Sequence, residues 1–535
     1  MKRTVRHLVA VLLAVLVILP MAGLGAAAPA PDPNLVPLRA VAEAAGAKVE
    51  WHADTWSVTV TRGEVTLDLK IGGQTATING VQTPVGTAVA LVDGKTMIPL
   101  PFLKAALGVE VAWDAAAGKP VFDARATEAM SFLKSAFQGK ADPKTLTPGL
   151  QAVVNAQYVA ALAAQMKQLG DLGQMAVMGH TKNAVHENVQ VLVVMTRAAL
   201  DVTVRFDANG LVDDLYMNVY AGPTFPAGAP AYADPALFTE KEVVVGAGTA
   251  FPLPGTLSMP VGQGPFPAVV FVHGSGPNDR DEAVGGIKVF RDLAQGLASR
   301  GIAVLRYEKR TREHSQKSIM LPHFGLQAET IEDALLAAKL LKGEAGVDPR
   351  RIFVLGHSQG ALAVPMLIDQ DAEKVLAGGI IAAGPNSMPD TLLLQNRLLV
   401  EAKLLPEAQL PFIEQQVAML RDPAFDPAKP PQGFALGMPQ YWFDMRDPVA
   451  PLAKQQTLPL FIFQGARDFQ VPVAQFADWQ KELAGRDGVT FKLYPKLNHA
   501  FTEGEGAYGF TDEYMKTANV PVYVIDDVAN WIKDH

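Results

Sequence analysis

Ser358 lies in Gly356-His357-Ser358-Gln359-Gly360, between an apolar run "RIFVL" and an amphipathic stretch "QGALAVPMLID". A hydroxyl between two glycines, where a buried strand gives way to a helix, suits a nucleophile elbow. There the serine takes strained backbone and the glycines avoid clashes with neighbouring chain. Ten serines and 46 glycines in 535 residues give about 0.07 chance matches to the bare motif, so the strand–turn–helix context carries much of the specificity. The competing reading is an ordinary turn.

Serine is a poor nucleophile without a base, and the base needs a carboxylate to orient it. On an elbow these follow in the order Ser, Asp, His. Asp468 comes after the apolar run "LPLFIFQG", in "GARDFQVPV", and His499 comes after "FKLYP", in "KLNHAFTEGEG". Both positions are loops at expected strand ends. Asp444 and Asp447 are rival acids that follow no expected core strand, and His357 is expected to pack rather than react. An oxyanion hole needs two N–H donors. Gln359, first residue of the expected helix, supplies one, favoured by the helix dipole. The glycine-containing loop "HGSGPNDRDE" (273–282) supplies the other, placed at Ser275 with Gly274 or Gly276 as alternatives; the bland reading is a glycine turn.

These groups need a sheet to hold them. From about residue 240 onward, "AVVFVHG", "IAVLRYE", "RIFVLGH", "GGIIAAG", "LPLFIFQG" and "VTFKLYP" are short apolar runs, separated in several places by amphipathic stretches such as "FRDLAQGLASRG" and "TIEDALLAAKLLKG". The pattern predicts a mostly parallel sheet covered by helices on both faces. Residues 386–450 are too long for a plain connection and read as a helical cap over the strand ends. Met438, Tyr441, Trp442 and Phe443 either line a substrate pocket there or bury the cap on the sheet.

Two smaller units precede this segment. "VPLRAVAEAAGAKVEW" (36–51) realigns with "IPLPFLKAALGVEVAW" (98–113), each giving Pro-Leu, a short helix, a glycine stop and a strand ending on tryptophan. "WSVTVTRGEVTLDLKIGG" between them alternates as a hairpin does. Residues 125–220 read as helices followed by a strand meander, a small α+β unit. His180 and His186 fall near its strands without a carboxylate cluster and read as surface residues. Residues 221–236, rich in Pro, Ala and Gly, read as a linker.

The totals exclude several classes. A net charge of −8 without a basic patch argues against nucleic acid as partner. The absence of cysteine excludes disulfides, thiolate metal sites and a lipidated cysteine. "MKRTVRH", "LVAVLLAVLVIL" and a small-residue exit read as a secretory signal over residues 1–27, cut after Ala27. The alternative is an uncleaved anchor over 8–28. No later stretch is apolar enough to span, so no membrane span is expected after cleavage.

The motifs "HGSGPNDRDE", "GHSQGA", "QGARDFQV" and "LNHAF" resemble those of exported esterase-like members of the α/β-hydrolase superfamily, related to dienelactone hydrolases and acyl-aminoacyl peptidases. The resemblance covers roughly 240–535. It implies an α/β-hydrolase fold over 237–535, with Ser358 as nucleophile, Asp468 as acid and His499 as base, and no metal or organic cofactor. Residues 31–124 resemble the domain named after the N-terminus of copper amine oxidases, a stalk or wall-associated module. Their single histidine, His52, offers no copper ligand set. Residues 125–220 resemble a cone-shaped domain found ahead of bacterial hydrolases. The expectation is a secreted serine carboxylesterase acting on a small-molecule ester, with cell-envelope contact through the N-terminal domain, Met438 and Trp442 at the substrate, and residues 237–535 as an autonomous unit. The alternatives are a peptidase or acyltransferase on the same triad, or an envelope-binding protein with an inactive hydrolase domain.

Overall fold

The computed structural model describes residues 35–535 apart from 115–116, 221 and 223–226. The secretory-signal reading, and part of the linker, lie outside the described residues.

In the first unit the two repeat copies meet each other. Strand Leu35–Pro37 pairs antiparallel with Lys95–Pro99, Val36 opposite Ile98, and each strand runs straight into its short helix. Gly108 ends the second helix in left-handed backbone, a conformation only glycine takes without strain. A five-stranded antiparallel sheet spans residues 48–84, and its inward positions Val58, Val60, Leu67 and Leu69 are buried under both helices.

The second unit packs helices on a four-stranded antiparallel meander, as its pattern predicts. Two details differ. The stretch "LQAVVNAQYVAALAAQMKQLG" (150–170), which reads as one helix in the sequence, breaks at Asn155, whose side chain caps the N–H of Tyr158 and starts a new helix. The meander also gains a first strand, Leu172–Lys182, whose weak alternation gave no strand signal; it is mostly exposed and bulged.

From Phe238 the chain builds an eight-stranded sheet: β1 (Phe238–Val245), β2 (Leu253–Pro260), β3 (Phe266–Val272), β4 (Ala303–Tyr307), β5 (Val347–His357), β6 (Leu376–Ala382), β7 (Leu460–Gly465) and β8 (Val489–Tyr494). They lie in the order β1-β2-β4-β3-β5-β6-β7-β8, parallel from β4 onward. The antiparallel pair β1 and β2 is not anticipated by the sequence reading. The helices that pack the sheet and form the cap include α1 (Val289–Ala298), α2 (Glu332–Lys342), α3 (Gln359–Gln370), α4 (Met388–Glu401), α5 (Leu410–Arg421), α6 (Pro439–Asp444), α7 (Val473–Glu482) and α8 (Val522–Asp534).

Successive strand residues point to opposite faces. Ala268, Val270 and Val272 face α2, α3 and α7, while Val269 and Phe271 face α1 and α8. Both faces are therefore dry, which is why these strands read as continuous apolar runs. This is the α/β-hydrolase fold. Its sheet presents the ends of β3, β5, β7 and β8 along one edge, and every candidate catalytic group follows one of those ends. The cap, α4 to α6, is inserted between β6 and β7.

Candidate active site

At the end of β5, Ser358 has φ 54° and ψ −120°, a backbone state costly for any side chain but glycine. Tight packing enforces it. A Cβ on Gly356 would meet the Gly360 carbonyl oxygen at 2.1 Å, and one on Gly360 would meet the Val272 carbonyl oxygen at 2.1 Å. The two glycines thus let α3 close onto the ends of β5 and β3. The Ser358 N–H donates to the carbonyl of Ala382 on β6 (3.0 Å), which anchors the turn from below. The Gln359 N–H, in the first turn of α3, has no partner among the described residues, as the first donors of a helix do not.

His499 and Asp468 meet as the sequence predicts. His499 Nδ1 lies 2.6 Å from Asp468 Oδ2, and both side chains are buried. Gln464 Nε2 donates to Asp468 Oδ2, and the N–H groups of Gln470 and Val471 donate to Oδ1. Four donors on two oxygens suit a carboxylate, which can only accept. Nδ1 being committed, Nε2 is the nitrogen of His499 left to take a proton. Asn498 shapes this loop: its side-chain oxygen accepts the N–H groups of Ala500 and Thr502. Arg467, next to the acid, ties down loop 505–513 through the carbonyls of Gly506 and Tyr508 and the Glu513 carboxylate. The rival acids are elsewhere. Asp444 accepts the Leu326 N–H and a Gln440 side-chain N–H, and Asp447 is exposed beside Arg446.

His357 does more than pack. Its Nε2 lies 2.9 Å from the His499 carbonyl oxygen, its Nδ1 lies 3.0 Å from Glu282 Oε2, and the two histidine rings are 4.6 Å apart. Burial disfavours charge on both His357 and Glu282, yet their mutual attraction holds the imidazole above its ordinary value and the carboxyl below. A buried histidine–carboxylate pair therefore lies against His499. The sequence reading missed it because Glu282 is 75 residues away in the chain.

Glu282 also removes one of the oxyanion alternatives and leaves Ser275 and Gly276. Its Oε1 accepts the Gly274 N–H at 2.6 Å, so Gly274 is already engaged. The Ser275 N–H has no partner among the described residues, and Ser275 is exposed. A Cβ on Gly274 would lie 3.0 Å from that of Ser358, which places this loop against the elbow.

The cap reaches the same loop through Tyr441. This residue is buried, and its hydroxyl is held far above its ordinary value by burial and by Glu329, offset by the Ser275 side chain. Met438 and Trp442 pack half-buried on the larger core, and Trp442 Nε1 donates to the Leu436 carbonyl. Phe443 belongs to the cap's own cluster, between Phe425 and Arg446.

His186 corrects the sequence reading. It is buried, with Nε2 2.8 Å from Asp213 and Nδ1 2.7 Å from Glu313. The surface expectation failed because both carboxylates are distant in sequence, Glu313 coming from the hydrolase segment. His180 is half-exposed between Asp123 and Glu187. His186, Asp213 and His314 bring ligand atoms within 4.8 Å of one another. Lys317 contacts Asp213 and Arg205 faces Glu313, however, so the chain's own cations already face both carboxylates.

Comparison with known proteins places the chain among established families. Residues 31–121 match the family described as copper amine oxidase N-terminal domain, and residues 264–505 match serine aminopeptidase, S33. The chain is 36% identical over 368 residues to esterase EstD of Thermotoga maritima, covering 68% of this chain and 84% of that protein. That alignment is longer than the segment from β1 to the C-terminus, so it takes in part of the α+β unit. Among solved structures, the Pyrococcus furiosus esterase Pf2001 is 17% identical with a TM-score of 0.36, over 59% of this chain and 98% of that one. Est1E from Butyrivibrio proteoclasticus is 16% identical with a TM-score of 0.34, over 55% and 98%.

Proposed function

The chain belongs to the α/β-hydrolase esterases, and from that membership we propose an exported carboxylesterase that works through an acyl-enzyme on Ser358. The Ser358 hydroxyl attacks the ester carbonyl carbon while its proton passes to His499 Nε2. The carbonyl electron pair moves onto oxygen, where the N–H groups of Gln359 and Ser275 receive it. Collapse of this intermediate expels the alcohol, which leaves with the proton from His499. Water then attacks the acyl-enzyme by the same route and frees the acid. Asp468 keeps Nδ1 protonated and steadies the imidazolium that forms at each proton transfer.

The observation that supports this reading best is the 2.6 Å contact between His499 and Asp468, on loops flanking a serine held at φ 54°. A fluorophosphonate probe tests it. The intact protein is expected to be labelled at Ser358, and Ser358→Ala to lose both label and ester turnover while keeping its fold. Turnover surviving in Ser358→Ala would move the nucleophile elsewhere.

The match to serine aminopeptidase S33 favours one second reading, a peptidase on the same triad. Parallel assays on p-nitrophenyl esters and aminoacyl p-nitroanilides separate the two, with ester turnover expected to dominate. Export rests on the basic, apolar and small-residue order of residues 1–27. Among the described residues no helix is long and apolar enough to cross a membrane. On this reading the 31–124 unit makes the envelope contact, and Met438 and Trp442 line the substrate side of the cap.

A further inference from the structure

Lys309 is almost completely buried, a costly position for an ammonium group unless every proton finds an acceptor. Three acceptors surround it. Nζ lies 2.7 Å from the Gly274 carbonyl oxygen, 3.1 Å from Gln359 Oε1 and 3.3 Å from Glu329 Oε2. Glu329 in turn accepts from Gln359 Nε2 (3.1 Å) and from the Thr311 hydroxyl (2.9 Å), which closes the network. Two of the three acceptors belong to the segments that carry the oxyanion donors, Gly274-Ser275 and Gln359.

The geometry of the peptide unit gives this contact a consequence. The Gly274 carbonyl and the Ser275 N–H share one peptide plane, and in a trans peptide they point in opposite directions. Drawing the carbonyl inward onto Lys309 therefore turns the Ser275 N–H away from Lys309, on a loop that packs against Ser358. Asn278 Nδ2 donates to the same carbonyl at 3.0 Å, and the Lys309 N–H returns a bond to the Asn278 carbonyl at 3.1 Å. The preceding peptide is fixed as well, because Glu282 accepts the Gly274 N–H. A positive charge on the carbonyl also polarises the peptide and makes its N–H a better donor. On the other segment, Lys309 holds the Gln359 side chain, whose own backbone N–H is the second donor.

We propose that Lys309 is the positioning residue of the oxyanion hole, orienting both donor-bearing segments from beneath without touching the substrate. The proposal rests on the serine-hydrolase reading above. A neutral, apolar side chain of similar length would fill the space yet leave the Gly274–Ser275 peptide free to turn over.

Lys309→Met alone would leave Glu329 buried without its counter-ion, so the test compares Lys309→Met/Glu329→Gln with Glu329→Gln, both in the full chain. Against that baseline the double variant is expected to lose about 10- to 100-fold in kcat on a p-nitrophenyl ester, with KM within about threefold, since losing one donor outright costs about 10²- to 10³-fold. A trifluoromethyl ketone, which forms a tetrahedral oxyanion on the serine, is expected to bind more weakly by a similar factor. A merely structural role would not single out that adduct. An unchanged kcat, or a fall in kcat with the ketone affinity intact, overturns the proposal. Should the double variant fail to fold, Asn278→Ala removes the second donor to the same carbonyl and is expected to show the same split at smaller size; equal kcat and ketone affinity there would overturn it too. Turnover persisting in Ser358→Ala would instead sink the serine-hydrolase reading, whatever Lys309 does.

Discussion

His357 Nε2 lies 2.9 Å from the carbonyl oxygen of His499, so the residue beside Ser358 holds the backbone of the proposed base. Its other nitrogen meets Glu282, which also grips the Gly274 N–H. One buried pair thus joins the ends of β3 and β5 and the loop after β8, the segments that the proposed mechanism needs in register.

Removing half of that pair leaves a buried charge without compensation. His357→Ala is expected to destabilise the protein by about 3–5 kcal/mol, read from urea unfolding at neutral pH. Adding Glu282→Gln should restore part of the loss, because the stranded carboxylate is then gone. Strict additivity of the two changes would show that the residues do not act as a pair.

The acid assignment is separable from its rivals. Asp468→Asn is expected to lower kcat on the order of 10⁴-fold, as loss of the orienting charge does in a serine protease. Asp447→Asn, at an exposed position beside Arg446, should stay within about twofold of the parent enzyme. A large loss in the Asp447 variant, with Asp468→Asn active, would reverse the assignment.

Much of the catalytic segment was legible because its physics is local. Parallel strands buried on both faces leave unbroken apolar runs, and the elbow needs glycines at fixed spacing. Asp468 and His499 could be found by their order and by the strand ends before them. What stayed hidden depends on distant pairs. Glu282 under His357, Lys309 under Gly274 and Glu313 beside His186 each come from another part of the chain, and no periodicity announces a buried charge. The strands β1 and β2 and the strand at 172–182 were missed where alternation is weak or a face is exposed.

The same blind spot affects the expected autonomy of residues 237–535. Residues 310–319, after β4, carry Glu313, Gln316 and Lys317, which bond to His186, Arg205, Asp213, Asp214 and Tyr158 of the α+β unit. Tyr232 also donates to the Val520 carbonyl, fixing the described end of the linker against the hydrolase segment. A fragment beginning at 237 would expose Glu313 and leave it without its histidine and arginine. Residues 123–535 are therefore expected to express as a folded esterase with kcat/KM within about threefold of the full chain, and 237–535 to lose soluble yield and cooperative unfolding. A stable, fully active 237–535 fragment would restore autonomy.

The interface also predicts how stability follows pH. Burial opposes charge on His186, but its hydrogen bonds to Asp213 and Glu313 outweigh that and raise its pKa above the ordinary histidine value. Asp213 and Glu313 are held low against their own burial, Asp213 chiefly by His186 and Lys317, Glu313 by Arg205 and His186. A raised histidine stabilises fully below its unfolded value of about 6.5, and that contribution fades as pH climbs through the higher folded value. The lowered carboxylates contribute above about pH 4 and lose that contribution as pH falls further. His314 works the other way, since burial and the nearby Lys317 and His186 charges push it down to about 3, so it costs stability as pH drops below about 6.5. Comparing His186→Gln with the parent largely removes that background. The stability gap between them is expected to be widest between about pH 5 and 6.5 and to narrow steadily toward pH 9, measured by urea unfolding at matched ionic strength. A gap that widens with rising pH would mean that His186 is neutral in the folded protein and that the interface is held by Lys317 and Arg205 alone.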